Sequence, residues 1–262
     1  MSRVDPGSGR DGAARTLLVT GASSGIGAAI ARVCGALGWG VAIGARRTDR
    51  LQKVAHAIEQ AGGRVFAGAL DVSRPESIDS FFAAAEAALG PMDVVVNNAG
   101  IGVPGLLHEL AVEDMQRELA TNLLGPMLVA RRALPGMLAR GRGDLVFISS
   151  MNVVAPRPLQ AGYTAAKAGV EGVAHTLRME LEGTGVRSII VRPGPTRSEF
   201  GYRWGSETLV RVADTWKHWG LMRHHEILHG EQVAGAVLAA VNAPPGMSMD
   251  IIQVNPDGSS GT

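Results

Sequence analysis

"TLLVTGASSGIG", residues 16–27, joins a short apolar run to a turn that contains three glycines. The run at 16–20 is nearly continuous in apolar and β-branched residues, as in a strand buried on both faces. Gly21, Gly25 and Gly27 lie where a helix would begin, and glycine permits a tight turn that brings the backbone close to a phosphate. A helix N-terminus also offers free N–H groups to a pyrophosphate. The stretch predicts a dinucleotide-binding turn, and the alternative is a glycine-rich turn without a ligand.

The alternation of strand and helix continues along the chain. Strand-like apolar runs lie at 16–20, 40–45, 64–70, 93–97, 144–149, 187–192 and 250–254. Helical spacing of apolar residues lies between them, at 25–37, 48–61, 75–89, 113–139, 162–182 and 231–242. This alternation predicts an α/β protein with a doubly wound Rossmann fold, in which a seven-stranded parallel sheet carries helices on both faces.

One long span interrupts that alternation. Residues 195–230 lie between the sixth strand and the last helix, and they contain three of the 4 tryptophans. Because an insertion of this length is usually functional, we expect a substrate lid at about 195–230. The alternative is a segment that packs on itself or on a neighbouring subunit. We predict a single domain at 15–262, preceded by a flexible polar tail at 1–14.

Composition excludes several classes of protein. Of the 262 residues, 46% are hydrophobic and 19% are charged, which is typical of a globular protein. A net charge of +1 gives no basic footprint for nucleic acid. The single cysteine, Cys34, fits a reducing compartment, and no apolar run reaches the roughly 20 residues of a membrane span. We expect a soluble cytoplasmic protein that binds neither nucleic acid nor membrane.

The end of the second strand indicates which dinucleotide is bound. NAD-binding folds usually carry an acid about 20 residues after the glycines, but here Ala45 fills that position. Arg46 and Arg47 follow it, and a guanidinium is suited to the 2′-phosphate of NADP. Asp49 comes later, inside the next helix, so no carboxylate is expected to repel the phosphate. We predict NADP(H), with Arg46 as the stronger candidate; the alternative is a solvated basic start to the helix.

A second motif, "GYTAAK" at 162–167, places one of the 2 tyrosines four positions before one of the three lysines. On a helix, Tyr163 and Lys167 share one face. An ammonium held near a phenol lowers the pKa of that phenol, towards the range in which general acid–base catalysis is efficient. The pair therefore indicates acid–base chemistry, and the alternative is a half-buried tyrosine beside a surface lysine.

Taken in order, these motifs resemble the short-chain dehydrogenase/reductase family in its compact single-domain form. The resemblance runs over roughly residues 15–255. It rests on "TGASSGIG" at 20–27, Asp71-Val72, "NNAG" at 97–100, Asn122, Ser150, "YTAAK" at 163–167 and "PG" at 193–194. Ser150 also precedes Tyr163 by 13 positions, the spacing that the family uses. Each element is a weak signal by itself, whereas the ordered set is specific.

The resemblance implies a role for each of four catalytic residues. Tyr163 would be the general acid for carbonyl reduction or the base for alcohol oxidation, and Lys167 would lower its pKa and bind the nicotinamide ribose. Ser150 would hold the substrate oxygen and stabilise the charge that develops there. Asn122 would orient a water that links Lys167 to solvent. The alternative for Asn122 is that it relieves a helix kink beside Gly125, and both roles can hold together.

The same resemblance implies a set of cofactor-binding residues. Asp71 would bind the adenine amino group, and residues 98–100 would line the adenosine side. The nicotinamide would be flanked by Pro193, Gly194 and Thr196. The full set is Gly21, Ser23, Ser24, Gly25, Ile26, Gly27, Arg46, Arg47, Asp71, Val72, Asn98, Ala99, Gly100, Tyr163, Lys167, Pro193, Gly194 and Thr196.

The implied activity is NADP(H)-dependent hydride transfer between the nicotinamide and a ketone or secondary alcohol. We expect a medium-sized or bulky apolar small molecule as substrate: a ketoacyl, polyketide, terpenoid, steroid or aromatic ketone. The helices at 113–139 and 162–182 resemble those that pair subunits in the family, which predicts a homotetramer or, failing that, a homodimer. The alternative is a non-catalytic dinucleotide-binding regulatory module, which would not need Ser150, Tyr163 and Lys167 together.

One further motif, "HEILH" at 225–229, matches the H-E-x-x-H pattern of zinc hydrolases. Such sites need a third ligand further along the chain, yet no histidine follows His229. Gly230 is expected to end the helix. We therefore predict a polar helix of the lid at this point, and no metal site.

Overall fold

The computed structural model describes residues 14–201, 204–221, 226–244 and 246–258, so the predicted tail lies almost wholly outside it. Within these ranges the sheet has seven strands: β1 Thr16–Thr20, β2 Gly40–Ala45, β3 Arg64–Ala69, β4 Val94–Asn97, β5 Gly143–Ile148, β6 Val186–Pro193 and β7 Ile251–Val254. Every pairing is parallel, in the order β3-β2-β1-β4-β5-β6-β7. The predicted seven-stranded parallel sheet is confirmed.

The α-helices of the described ranges are α1 Gly25–Ala36, α2 Thr48–Gln60, α3 Pro75–Leu89, α4 Val112–Leu119, α5 Gly125–Arg140, α6 Ala161–Glu180, α7 Ser206–His218 and α8 Gly230–Val241. Successive residues of β1 face opposite sides of the sheet. Leu17 and Val19 join a core with α1, α2 and α8, whereas Leu18 joins a core with α3, α5 and α6. Helices on both faces are thereby confirmed. None of these helices is both long and apolar enough to cross a membrane.

The helix expected at 113–139 is divided. α4 ends at Leu119, a π-helical turn spans Ala120–Leu124, and α5 begins at Gly125. A π-helical turn adds one residue to the helical ladder and often marks a functional site. The spacing of apolar residues did not reveal it, because the sequence keeps a helical period on either side. Asn122 lies in this turn and is 0% exposed, so its side chain is directed into the protein.

The two ends of the segment 195–230 pair with each other. Arg197 N donates to Leu228 O, and Leu228 N donates to Pro195 O, each over 2.8 Å. These hydrogen bonds close the excursion at its base, at the carboxyl end of β6. The helix α7 lies between the two ends. The segment is therefore anchored where the site is expected.

The polar helix predicted from "HEILH" is wrong for the described part of that motif, residues 226–229. Leu228 forms a parallel bridge with Thr196, and His229 has extended backbone angles, φ −89° and ψ 152°, at the N-cap of α8. Gly230 begins α8 instead of ending a helix, because the bridge at Leu228 holds the preceding residues extended. His225 lies outside the described residues. Among those described, no group of three or more His, Cys, Asp and Glu side chains is placed to hold a metal ion.

Two arginines form ion pairs with one buried carboxylate at the amino end of the sheet. Asp144 on β5 is 1% exposed, and its Oδ2 accepts a hydrogen bond from Arg15 Nη2 at 2.5 Å. Arg187 on β6 donates to both Asp144 oxygens, at 2.6 and 3.0 Å. Both arginines also donate to the carbonyl oxygen of Val241, at the end of α8. The cluster therefore ties the start of β1 to β5, β6 and α8.

We predict that Asp144→Asn lowers the free energy of unfolding by about 3–5 kcal/mol, the usual cost of breaking a buried ion pair by removing one partner. Two guanidinium groups would then lose their counter-charge. Urea unfolding followed by circular dichroism measures the change. The matched control is Glu76→Gln, which removes an exposed pair with Arg74 and should leave the midpoint unchanged. Equal shifts in the two variants would contradict the role of Asp144.

Candidate active site

A cavity of about 790 Å³ opens at the carboxyl ends of β1, β4, β5 and β6. It lies where the strand order reverses, between β1 and β4, which is where parallel α/β sheets bind ligands. The predicted site residues line it, except for Gly27 and Asn122. Those that line it are Gly21, Ser23, Ser24, Gly25, Ile26, Arg46, Arg47, Asp71, Val72, Asn98, Ala99, Gly100, Ser150, Tyr163, Lys167, Pro193, Gly194 and Thr196.

The glycine turn after β1 is packed too closely for side chains. Gly21 has φ +68°, and a Cβ there would lie 2.7 Å from Ala99 Cα. A Cβ at Gly27 would lie 2.4 Å from Asn98 Nδ2. Thr20 Oγ1 accepts hydrogen bonds from Asn98 N and Ala99 N, both at 3.0 Å. The turn thus presents bare backbone and the N-terminus of α1 to the cavity, which fits a pyrophosphate.

Asp71, which follows β3, carries a negative charge that its surroundings stabilise. Its Oδ1 accepts hydrogen bonds from Ser73 N at 3.0 Å and from Ser73 Oγ at 2.7 Å. Partial burial raises the pKa of Asp71, but the Ser73 hydrogen bonds and the charges of Arg46 and Arg74 together hold that pKa below its ordinary value. An ionised carboxylate therefore lines the cavity at the position predicted for the adenine amino group.

The two arginines that follow β2 differ in their surroundings. Arg46 is exposed, and within the described part of the chain no hydrogen bond or ion pair engages its guanidinium. Arg47 donates to Glu199 Oε2 at 2.7 Å, and to Ser23 Oγ and Ser24 Oγ at 3.0 and 2.9 Å. Of the two, Arg46 is the one left to meet a ligand.

Glu199 corrects the expectation that no carboxylate lies near these arginines. It belongs to the 195–230 segment and forms ion pairs with both Arg47 and Arg50. The hydrogen bond from Arg47, followed by that from Arg50, holds the pKa of Glu199 below its ordinary value. The sequence did not show this contact, because 152 positions separate Arg47 from Glu199.

Tyr163 and Lys167 lie one turn apart on α6, on the side that faces the cavity. Desolvation by burial raises the pKa of Tyr163 to about 12. Its hydrogen bond with Ser150 acts in the opposite direction and lowers that pKa. Ser150 Oγ also accepts from Asn152 N at 3.1 Å. Lys167 Nζ donates to Ile148 O at 2.7 Å, and burial lowers the pKa of Lys167 to about 8.

The expected lowering of the Tyr163 pKa by Lys167 is not what the structure shows. Desolvation of the phenolate is the largest effect, and the nearby Glu118 carboxylate also raises the Tyr163 pKa. The ammonium of Lys167 is directed at a backbone carbonyl and lies 5.8 Å from the centre of the Tyr163 ring. Tyr163 is therefore protonated at neutral pH, as a proton donor must be, while its pKa lies further from neutrality than that of a free tyrosine.

Two hydrogen bonds made by Asn122 connect the π-helical turn to the loop after β4. Its Oδ1 accepts from Ile101 N at 2.8 Å, and its Nδ2 donates to Ile101 O at 2.7 Å. A Cβ on Gly100 would lie 3.4 Å from Asn122 Oδ1 and 3.9 Å from Lys167 Nζ. Asn122 and Lys167 thus both lie close to Gly100. Both earlier interpretations of Asn122, relief of a kink and orientation of a relay water, fit this position.

Aromatic side chains of the 195–230 segment lie beside Tyr163. The Phe200 ring meets the Tyr163 ring edge-on, with centroids 4.9 Å apart, and Trp204 follows Phe200 at 5.6 Å. Trp204 Nε1 donates to Gly102 O at 2.9 Å. Phe200 was not predicted from the sequence, because one phenylalanine in an irregular segment carries no pattern. These contacts place the segment against the cavity wall.

Glu118 on α4 is a buried carboxyl group that the sequence analysis also missed. It is 0% exposed, and its Oε1 accepts from Val103 N at 3.0 Å. Its Oε2 has no hydrogen-bond partner in the described part of the chain, and a Cβ on Gly162 would lie 2.4 Å from it. Burial raises the pKa of Glu118, which favours the neutral acid. A glutamate on a polar helix is normally expected to face solvent.

A family model described as short chain dehydrogenase matches residues 15–208. A short chain dehydrogenase of Pseudocercospora fijiensis is 37% identical over 190 residues, which are 71% of this chain and 61% of that protein. The chain thus spans less than two thirds of that relative. Dehydrogenase/reductase SDR family member 11 of Gallus gallus is 32% identical over 250 residues, which are 92% of this chain and 96% of that protein.

The fold is also found in solved structures. The closed form of serine dehydrogenase complexed with NADP+ superposes with a TM-score of 0.82 at 29% identity, over 94% of this chain and 98% of that chain. The family model covers more than half of the sequence, and its matched range includes the glycine turn, Ser150, Tyr163 and Lys167. The chain belongs to the short-chain dehydrogenase/reductase family of oxidoreductases.

Proposed function

We propose that this protein is an NADP(H)-dependent oxidoreductase that transfers a hydride between the nicotinamide and a ketone or secondary alcohol. The observation that carries the proposal is the position of Ser150, Tyr163 and Lys167 on the wall of the cavity that begins at the glycine turn. One cavity therefore serves both the dinucleotide and the acid–base group.

The nicotinamide supplies or accepts the hydride, and the residues of the chain handle the proton. Tyr163, which is protonated at neutral pH because burial raises its pKa, gives its hydroxyl proton to the substrate oxygen during reduction. The Ser150 hydroxyl donates a hydrogen bond to the same oxygen and stabilises the charge on it. Lys167 directs one of its N–H donors at Ile148 O, and the others remain for the ribose hydroxyls.

Three features support NADP(H) over NAD(H). Ala45 leaves no carboxylate at the end of β2 to bind the ribose hydroxyls. Glu199 already engages Arg47 and Arg50, so Arg46 is the guanidinium that remains for the 2′-phosphate. The serine dehydrogenase that superposes on this chain is itself complexed with NADP+.

The substrate that fits this site has an apolar body. Phe200, Trp204 and Trp216 line the cavity that also holds Tyr163. In this proposal the segment at about 195–230 acts as a lid that covers the substrate and keeps water from the proton transfer. Aromatic, steroid, terpenoid, polyketide and ketoacyl ketones all offer such a body.

We predict that Tyr163→Phe lowers kcat by about 10²- to 10⁴-fold, the usual contribution of a general acid, because it removes only the phenolic hydroxyl. The ring remains to pack against Phe200, so folding and NADPH binding should be unchanged. NADPH consumption with a panel of ketones measures kcat, and fluorescence titration measures NADPH binding. Turnover within a few-fold of wild type, at equal folded fraction, would contradict the assignment of Tyr163.

We predict that Arg46→Ala weakens NADPH binding about tenfold and leaves NADH binding unchanged. The variant loses a charge-assisted contact with the 2′-phosphate, and solvent exposure of Arg46 keeps the effect moderate. The matched control is Arg117→Ala, since Arg117 is also exposed but pairs with Asp114 on α4. Titration of both cofactors into the three proteins decides the matter. If Arg46→Ala weakens NADH and NADPH equally, Arg46 does not read the 2′-phosphate.

Apolar side chains are exposed along α4, the π-helical turn and α5. Leu119, Leu124 and Met127 are 41%, 47% and 42% exposed. Exposed apolar surface of this kind is commonly covered by a protein partner. In this proposal the chain forms a homotetramer, or failing that a homodimer, through this surface and α6.

We predict that light scattering at micromolar concentration gives the mass of four chains, or of two, for the wild-type protein. Met127→Lys should shift that mass towards one chain, because a buried ammonium without a partner is unfavourable in an interface. Gln52→Lys, which adds the same charge at an exposed position of α2, is the control and should leave the mass unchanged. A monomeric wild-type protein would refute the proposed assembly.

A further inference from the structure

Arg157 lies between Ser150 and Tyr163 in the chain and lines the same cavity. Its guanidinium carbon lies over the Trp216 ring, 4.6 Å from the ring centre. This contact holds the cation by attraction to the face of the ring. It leaves the N–H donors of the guanidinium available for hydrogen bonds.

No carboxylate neutralises Arg157 in the described part of the chain, where no hydrogen bond or ion pair involves its guanidinium. Burial lowers the pKa of Arg157, and no acidic side chain opposes that effect. Within 195–230, the stretches that lie outside the described residues, 202–203 and 222–225, contain no aspartate or glutamate. An arginine remains protonated in such surroundings. Among the described residues, Arg157 is therefore a positive charge without a counter-charge beside the aromatic side chains of the cavity.

The loop that carries Arg157 is held by two hydrogen bonds to distant parts of the chain. Trp216 Nε1 donates to Pro158 O at 3.0 Å, and Gly105 N donates to Leu159 O at 2.9 Å. Leu159 has φ +67°, a left-handed conformation that a non-glycine residue keeps only where its surroundings impose it. Such strain is often found at binding sites. The position of Arg157 is thus fixed before any ligand arrives.

We propose that Arg157 binds a carboxylate of the substrate, while the substrate's carbonyl or hydroxyl group lies at Ser150 and Tyr163. This inference rests on the proposed function and narrows its substrate class to oxo acids and hydroxy acids with an apolar body. The body would lie against Trp216 and its aromatic neighbours. Binding at two points orients the carbonyl towards the acid, and that orientation lowers the barrier to reaction.

The chemistry of the site favours a carboxylate over a phosphate. One guanidinium balances one negative charge and matches the two oxygens of a carboxylate with two parallel hydrogen bonds. A phosphate monoester carries close to two charges, and the other arginines of the cavity, Arg46, Arg47 and Arg50, line its dinucleotide end. Lys167 is engaged by Ile148 O. One group with a single negative charge is therefore enough to neutralise Arg157 at the substrate end of the cavity.

The test compares three phenyl oxo acids with their methyl esters: 2-oxo-2-phenylacetate, 4-oxo-4-phenylbutanoate and 5-oxo-5-phenylpentanoate. The acids differ in the spacing between carbonyl and carboxylate, and each ester removes the charge and adds one methyl group. NADPH consumption gives kcat/KM for wild type, for Arg157→Gln and for Arg157→Met. The matched control is Arg197→Gln, an exposed arginine that does not line the cavity.

We expect wild type to favour at least one acid over its ester by about 10- to 100-fold in kcat/KM, the range for a hydrogen bond to a charged group. Both uncharged variants at Arg157 should abolish that preference, because KM rises far more for the acid than for the ester. Arg197→Gln should keep the preference. A wild-type protein that treats acids and esters alike overturns the inference, and so does a preference that survives loss of Arg157.

Binding supplies a second readout that does not depend on turnover. With NADPH present, the preferred acid should raise the thermal unfolding midpoint of wild type and not that of Arg157→Gln. If an acid binds through Arg157 while no compound is turned over, the inference holds and the proposed oxidoreductase function fails. If acids and esters are turned over equally, the proposed function holds and the inference fails. The wild-type comparison of acid with ester needs no variant to fold.

Discussion

The parallel pairing of β1 with β4 is the constraint on which the site depends. From this pair the strand order runs outward in both directions, so the chain leaves the two strands towards opposite faces and a crevice remains between them. Because Gly21 and Gly27 have no side chains, the turn after β1 can lie directly against Asn98 and Ala99 in the loop after β4. Thr20 fixes that loop with two hydrogen bonds, and Asn122 holds its continuation at Ile101. The rest of the cavity is positioned against this junction.

Charge is distributed unevenly along the cavity, and burial explains much of the pattern. Burial raises the pKa of Tyr163 and of Glu118 and lowers that of Lys167, so each of these groups is pushed towards its neutral form. Full charges remain at the two ends. At the end beside the glycine turn Glu199 accompanies a group of arginines, whereas beside Trp216 Arg157 has no described counter-charge. Tyr163 and Lys167 are therefore shifted towards their neutral forms, whereas charged groups, Asp71 among them, lie elsewhere along the cavity.

The irregular features of the backbone gather around the same cavity. The π-helical turn at Ala120–Leu124 directs Asn122 inward, Leu159 keeps a left-handed conformation, and Leu228 closes the excursion against Thr196. Departures from local preference are expected where a site demands them. Two predictions from local spacing were wrong at these places. They are the undivided helix at 113–139 and the polar helix in "HEILH".

The sequence by itself determined the order of strands and helices, the glycine turn, and the spacing that puts Tyr163 and Lys167 on one face of α6, because periodicity and spacing are local properties. Only the tertiary structure decided how these groups are charged and what they contact. Burial sets the direction of the Tyr163 and Lys167 pKa shifts, and Glu199 reaches Arg47 across 152 positions. Glu118 is buried although its helix is polar. Desolvation and Coulomb forces depend on separation in space, which a linear pattern does not contain.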